Sequence, residues 1–113
     1  MAREIIKKSE DFTKRDVVNS RAGKPLQDFE KSMTINNITA IATCKDVDEE
    51  TGEIKNVGIF RTADMVYYTT ISETVFDTLD DVIEILDEEN EISVRVDKRK
   101  SNSGRDFLTL VVL

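Results

Sequence analysis

From residue 34 onward the apolar positions recur with two different periods. TINNITAIATCKD is β-branched, with Ile35, Ile38 and Ile41 separated by small residues, and predicts a strand over 34–46. VDEETGE follows as a charged turn with Gly52 near its tip. IKNVGIFR predicts a second strand, in which Gly58 marks a bulge or a point of close approach. TAD connects it tightly to MVYYTTI, a third strand of strong β-formers. In SETVFDTLDDVIEILDEENE the period changes. Val75, Phe76, Leu79, Val82, Ile83 and Leu86 make one stripe of an amphipathic helix whose other face is acidic. Ser72 is placed to cap it, and Glu73 and Asp77 suit the positive end of the helix dipole. The acidic run 87–91 suits the other end badly, so the helix is expected to stop near Leu86. EISVRVDK returns to strict alternation, Ile92, Val94 and Val96 against Ser93, Arg95 and Asp97, and DFLTLVVL is a final strand.

The order strand, strand, strand, helix, strand, strand is that of an oligonucleotide-binding (OB) fold, a five-stranded, partly open barrel closed at one end by a helix. The alternative is an α+β sheet with one helix packed on its face. Residues 34–113 are expected to form this domain. Residues 1–33 read as an N-terminal arm, partly ordered, that docks through Phe12 and Phe29 while its first few residues fray. A short helix over 14–20 is capped either by Ser9, followed by Asp11 and Phe12, or by Thr13, followed by Asp16; Gly23 and Pro25 stop it.

At 113 residues the chain has the length of one domain, and no stretch approaches the roughly 20 apolar residues of a membrane helix. No secretory signal is evident at the start. Cys44 is the single cysteine, which excludes an intrachain disulfide and fits a cytoplasmic setting; it reads as a small core residue. There is no histidine, which removes the commonest general base, nucleophile activator and metal ligand, and no cofactor is expected. The net charge of -7 is unevenly spread: residues 1–33 carry +2, residues 34–97 carry -12 and residues 98–113 carry +3. Overall acidity argues against indiscriminate nucleic-acid binding, whereas a local basic stripe is what such binding needs.

That stripe is KRKSNSGRDF. A small, polar, flexible SNSG turn carries Lys98, Arg99, Lys100 and Arg105, a set suited to clamping phosphates; the alternative is a solvated hairpin tip whose charges discourage edge aggregation. On an OB barrel, bases lie on rings exposed across the second and third strands. Phe60 beside Arg61, and Tyr67 and Tyr68, which must point to opposite faces, are the candidate platforms, with Lys55 assisting along the phosphates. So few rings imply weak binding per monomer, which a homo-oligomer would compensate. Phe107 alternates with Thr109 and Val111 and reads as core. Asp77, Asp80, Asp81 and Glu84 read as a solvated helix face, and DVDEETGE lacks the ligand spacing of a calcium loop. No acid has a partner that would tune it for catalysis, so an enzyme is not expected.

Two stretches, GIFRTADMVYYTTISETVFDTLDDVIEIL and KRKSNSGRDFLTLVV, resemble small single-stranded DNA-binding proteins of bacteriophages. The matching elements are an FTKRD-like segment at 12–16, a tyrosine strand running into Ser/Thr at 68–72, and Lys-Ser-x-x-Gly-Arg-[Asp/Glu]-Phe at 100–107; together they span most of residues 12–113. The resemblance implies a non-catalytic, OB-like protein that coats single-stranded DNA with little sequence preference during phage replication or recombination, in the host cytoplasm and beside replication or recombination proteins. Better-known bacterial counterparts end in a disordered acidic tail, whereas this sequence ends on an apolar strand at Leu113, so recruitment through a tail is not expected. The -12 middle segment would keep the non-binding face off DNA or contact a basic region of a neighbouring protomer. The alternative function is a small acidic phage protein that binds and inhibits a host defence or nucleic-acid enzyme, its acidic surface facing a basic cleft.

Overall fold

The structure, a computed structural model, describes residues 2–28 and 32–113. Phe29, expected to help dock the arm, lies outside the described residues. The described residues form one seven-stranded sheet: β1 (Ala2–Lys8), β2 (Lys24–Pro25), β3 (Met33–Val47), β4 (Ile54–Thr62), β5 (Tyr67–Thr70), β6 (Ile92–Lys100) and β7 (Asp106–Val112). The helices are α1 (Lys14–Asn19) and α2 (Glu73–Glu89), with 3₁₀ turns at Ser20–Ala22 and Leu26–Asp28. The strand order is β2-β5-β4-β3-β6-β7, and β1 pairs with β3 outside this path.

The five strands expected from periodicity are all present, and two more come from the N-terminal segment. Residues expected to fray form β1 instead, antiparallel to β3 from Ala2 opposite Val47 to Lys8 opposite Ala42. β2 is a two-residue parallel pairing of Lys24 and Pro25 with Tyr68 and Thr69.

β3 is the spine of the molecule. Its first part pairs with β6, from Met33 opposite Val96 to Ile38 opposite Ile92. Its second part lies between β4 and β1. The register slips on both sides of the exchange, between Ile35 and Ile38 and between Ile38 and Ala40. Asn37 absorbs the bend with a φ of 57°, a left-handed conformation that asparagine tolerates better than most residues. The bend curls the sheet into a half-barrel, mainly β, with α2 inside the curve.

The inner core joins Ile35, Ile38, Ile41, Phe60, Val94 and Leu108 of the sheet to Val75, Leu79, Val82, Ile83 and Leu86 of α2. Burying each of these large side chains contributes about 1.5–3 kcal/mol. Gly58 lets the helix come this close: a Cβ there would stand 2.5 Å from Leu79 Cδ1. The glycine is thus a point of close approach. α2 is capped by Ser72, whose Oγ accepts a hydrogen bond from Val75 N at 3.4 Å. It runs past Leu86 to Glu89 and ends at Asn90, left-handed at φ 68°. The expected stop was too early because the arm supplies partners: Lys7 Nζ lies 3.5 Å from Glu84 Oε1, and Glu10 N donates to Asp87 Oδ1 at 3.0 Å.

The outer face of the sheet is also covered. Ala40, Ala42 and Cys44 are small, so the arm packs closely, and Phe12 is buried against them with Val57, Ile59 and Tyr67. Ser9 pins the approach: its N donates to Ile41 O at 2.9 Å, and its Oγ accepts from Ile41 N at 3.0 Å. Burial pushes the Cys44 thiol up to about 11, which leaves it unreactive at neutral pH. No helix among the described residues is long and apolar enough to cross a membrane.

Candidate nucleic-acid interface

The β6–β7 hairpin is set by its turn. Gly104 sits at φ 82°, its N donates to Ser101 O at 2.9 Å, and Ser101 N donates to Arg105 O at 2.9 Å. Only glycine adopts that conformation without strain. The turn fixes a register in which Lys98 faces Leu108, Arg99 faces Phe107 and Lys100 faces Asp106. Alternation then sends Lys98 and Leu108 to the inner face, and Arg99 and Phe107 to the outer one. Lys98, Arg99, Lys100 and Arg105 are all exposed, while Phe107 is half-buried. Directly opposed side chains have Cβ atoms about 4.5–5.5 Å apart, so a guanidinium and an aromatic ring share one surface here.

Asp97 orders the stem of the hairpin. Its carboxylate lies 3.1 Å from Arg95 Nε and 3.9 Å from Arg99 Nη2. Desolvation alone would raise the Asp97 carboxyl, but hydrogen bonds from Ser32 and Arg95 and the two guanidinium charges hold it below the usual carboxylate range.

The other expected contacts are placed differently. Phe60 has 0 % exposure and sits in the inner core, so no base stacks on it without opening the helix–sheet interface. Tyr67, at 7 %, faces outward but lies under the arm. Tyr68, opposite Phe60, is half-buried against the inner core. The two tyrosines do point to opposite faces, yet neither is an open platform. Lys55 is exposed, but it lies across from Asp46 in the strand register, at the far end of β3 from the hairpin.

Arg61 is held by the arm. Its Nη1 lies 2.9 Å and 3.1 Å from the two oxygens of Asp16, and its Nε lies 3.3 Å from Thr39 Oγ1. The same carboxylate accepts from Tyr67 Oη and, at 2.8 Å, from Thr13 N in a capping box at the start of α1. Burial would raise the Asp16 carboxyl; the bonds from Tyr67, Thr13 and Arg61 outweigh it and hold the group below its ordinary range. Burial, and then the bond to Asp16, push the Tyr67 hydroxyl up. These groups lock the arm to the sheet, and Arg61 is committed to that lock.

A groove of about 380 Å³ continues from the hairpin. It separates the start of β7, at Phe107 and Leu108, from Gln27 and the β5–α2 junction at Ile71 and Thr74. Thr74 Oγ1 closes its floor by donating to Leu108 O at 2.8 Å. Ile71 is 59 % exposed. Among the described residues the end strands of the sheet, β2 and β7, are not paired with each other, and this groove, lined by Gln27 after β2 and by Phe107 and Leu108 of β7, lies in the seam between those two ends. Phe107, expected as core, and Ile71, which the sequence did not single out, both line this groove. For Phe107 the sequence held a signal: counting back through the glycine turn pairs it with Arg99, an outward cation.

Comparison with known proteins decides the family. A family model described as phage single-stranded DNA-binding protein, of the phi29 type, matches residues 16–113. The chain belongs to that family. No curated protein and no solved structure gives a significant match. The matched region begins at the arm residue that holds Arg61 and Tyr67, and it includes the entire hairpin. Among the described residues no group of three or more His, Cys, Asp or Glu is placed to hold a metal ion.

Proposed function

We infer that the protein is a non-catalytic coat for single-stranded DNA whose principal contact is the β6–β7 hairpin. The observation that carries this reading is the cross-strand pair Arg99–Phe107, flanked by exposed Lys98, Lys100 and Arg105. A strand tracking these cations releases counterions, and a base packs on Phe107 and then on Ile71 in the open seam. Nothing in such contacts reads base edges, which supports binding with little sequence preference. Lys55 and Tyr68 are secondary in this scheme, and Phe60, Tyr67 and Arg61 serve the fold.

The order of β3 to β7, with α2 between β5 and β6, supports an OB-like barrel left open at one seam. A coat protein of this kind acts in phage DNA replication or recombination, in the host cytoplasm, beside proteins of those processes. One half-exposed ring beside the cations offers little stacking per protomer, which favours homo-oligomeric assembly along a strand.

The test is fluorescence anisotropy of a labelled oligothymidine at two salt concentrations. Saturable binding that weakens steeply with salt is expected. Absence of binding at low salt would refute the reading and favour a protein partner for the acidic face of α2.

A further inference from the structure

A groove of about 480 Å³ lies away from the hairpin, between the arm and the β4–β5 turn. Its walls are Val18, Arg21 and Lys24 on the arm and Met65 and Val66 on the turn. Val18 is 65 % exposed and Met65 is 53 % exposed. Its charged lining is wholly cationic, whereas the seam beside the hairpin carries Glu73 and Asp106. An apolar floor edged only by cations suits a polyanion that carries flat apolar groups.

Met65 adds a second argument. It sits at φ 63°, where glycine or asparagine would be relaxed and a long unbranched side chain is not. Three hydrogen bonds around Thr62 hold it there: Met65 N to Thr62 O at 3.0 Å, Val66 N to Thr62 Oγ1 at 3.2 Å and Thr62 N to Val66 O at 3.0 Å. The turn thus displays a thioether to solvent at a position where a backbone-driven choice would be glycine. A thioether packs well against the edge or face of an aromatic ring, and it adapts to any base.

Position supplies the third argument. The groove ends at Lys24 and Tyr67, and the seam beside the hairpin begins at Gln27 and Ile71. The interval is the β2–β5 edge, four residues of β5 or about 13 Å. The two sites are therefore ends of one track along the same sheet edge.

We propose that this arm groove is a second subsite for single-stranded DNA, which takes a base over Met65 and Val18 and the adjoining phosphates beside Lys24 and Arg21. The proposal rests on the reading that the chain binds single-stranded DNA at the hairpin. A strand then runs from the hairpin through the seam and across the β2–β5 edge into the groove. Only oligonucleotides long enough to cover both ends gain from the groove.

The test compares oligothymidines of about five and about fifteen nucleotides, inside the range of site sizes known for one such domain. Met65→Gly removes the side chain and relaxes the backbone, so folding is not put at risk; its melting temperature should equal or exceed that of the parent. Its affinity for the longer strand should fall about fivefold, and for the shorter one less than twofold. Lys24→Gln should lower the salt slope for the longer strand by about 0.7, the share of one phosphate on a single strand, and leave the shorter one unchanged. Parental affinity and slope for both lengths would overturn the proposal, and so would equal losses on both. A control with Lys98, Arg99, Lys100 and Arg105 all replaced by alanine separates the two failures. Lost binding in the control with parental behaviour in both groove variants overturns the groove alone, whereas parental binding in the control overturns the hairpin reading on which it rests.

Discussion

Asp16 shows how one side chain ties the arm to the sheet. Its carboxylate takes bonds from Arg61, Tyr67 and Thr13 while almost fully buried. Removing one partner of a buried ion pair leaves the other uncompensated, so Asp16→Asn should destabilise the fold by about 3 kcal/mol in urea titration. The pH dependence has a definite sign. Because the folded-state pKa of Asp16 lies below its unfolded value, its contribution is complete above the unfolded pKa of about 3.9 and is lost as pH falls through the lower folded value. The parent should lose stability on acidification through that window, and the asparagine variant should show a shallower loss; identical acid limbs would remove Asp16 from the lock. The capping of α1 by Thr13 and Asp16 was legible locally, because three residues separate the pair. The contacts to Arg61 and Tyr67 were not, because they cross 45 and 51 residues of chain. That is also why Arg61 and Tyr67 looked available for DNA. Phe107 is the residue-scale counterpart in the proposed hairpin contact. Phe107→Ala should weaken oligothymidine binding by about 1–3 kcal/mol, read by anisotropy, with little sequence dependence.

At the scale of elements, the helix–sheet contact depends on Gly58. A methyl group there would meet Leu79 Cδ1 at 2.5 Å and Thr70 Cγ2 at 3.0 Å, and Leu79 is fully buried with little room to turn. Gly58→Ala should therefore cost about 1–3 kcal/mol, seen as a lower melting temperature, with oligothymidine affinity of the folded protein unchanged. α2 and β6 were legible because their apolar positions keep a period of 3.6 and of 2, and β3, β4, β5 and β7 because β-branched and aromatic residues run between turn signals. β1 was not, because AREIIKK offers two adjacent isoleucines among charges and is largely exposed on an edge. β2 is two residues long and parallel, and no local pattern marks such a pairing. The end of α2 was placed early because the dipole argument saw the acids 87–89 but not Lys7 and Glu10 of the arm.

For the whole molecule, charge is segregated by the fold as well as by the sequence. The outward face of α2 presents Asp77, Asp80, Asp81, Glu84 and Glu88, while the hairpin presents four cations. If neighbouring protomers meet through that acidic face, Asp80→Lys with Asp81→Lys should alter the cooperativity of binding to long single strands and spare a short oligothymidine. Unchanged cooperativity would leave the face as a shield against DNA. The basic hairpin could be read from the local sequence, and so could the pairing of Phe107 with Arg99, but not the covering of the other rings. Which aromatic faces solvent depends on the arm covering one side of the sheet and α2 the other, and neither covering is local. Binding through the hairpin is tested most directly by the salt dependence of oligothymidine binding in the variant with Lys98, Arg99, Lys100 and Arg105 replaced by alanine. With four phosphate contacts gone, we expect weaker binding at every salt concentration and a log–log slope flatter by about two to three. A slope and affinity equal to the parent's would contradict it.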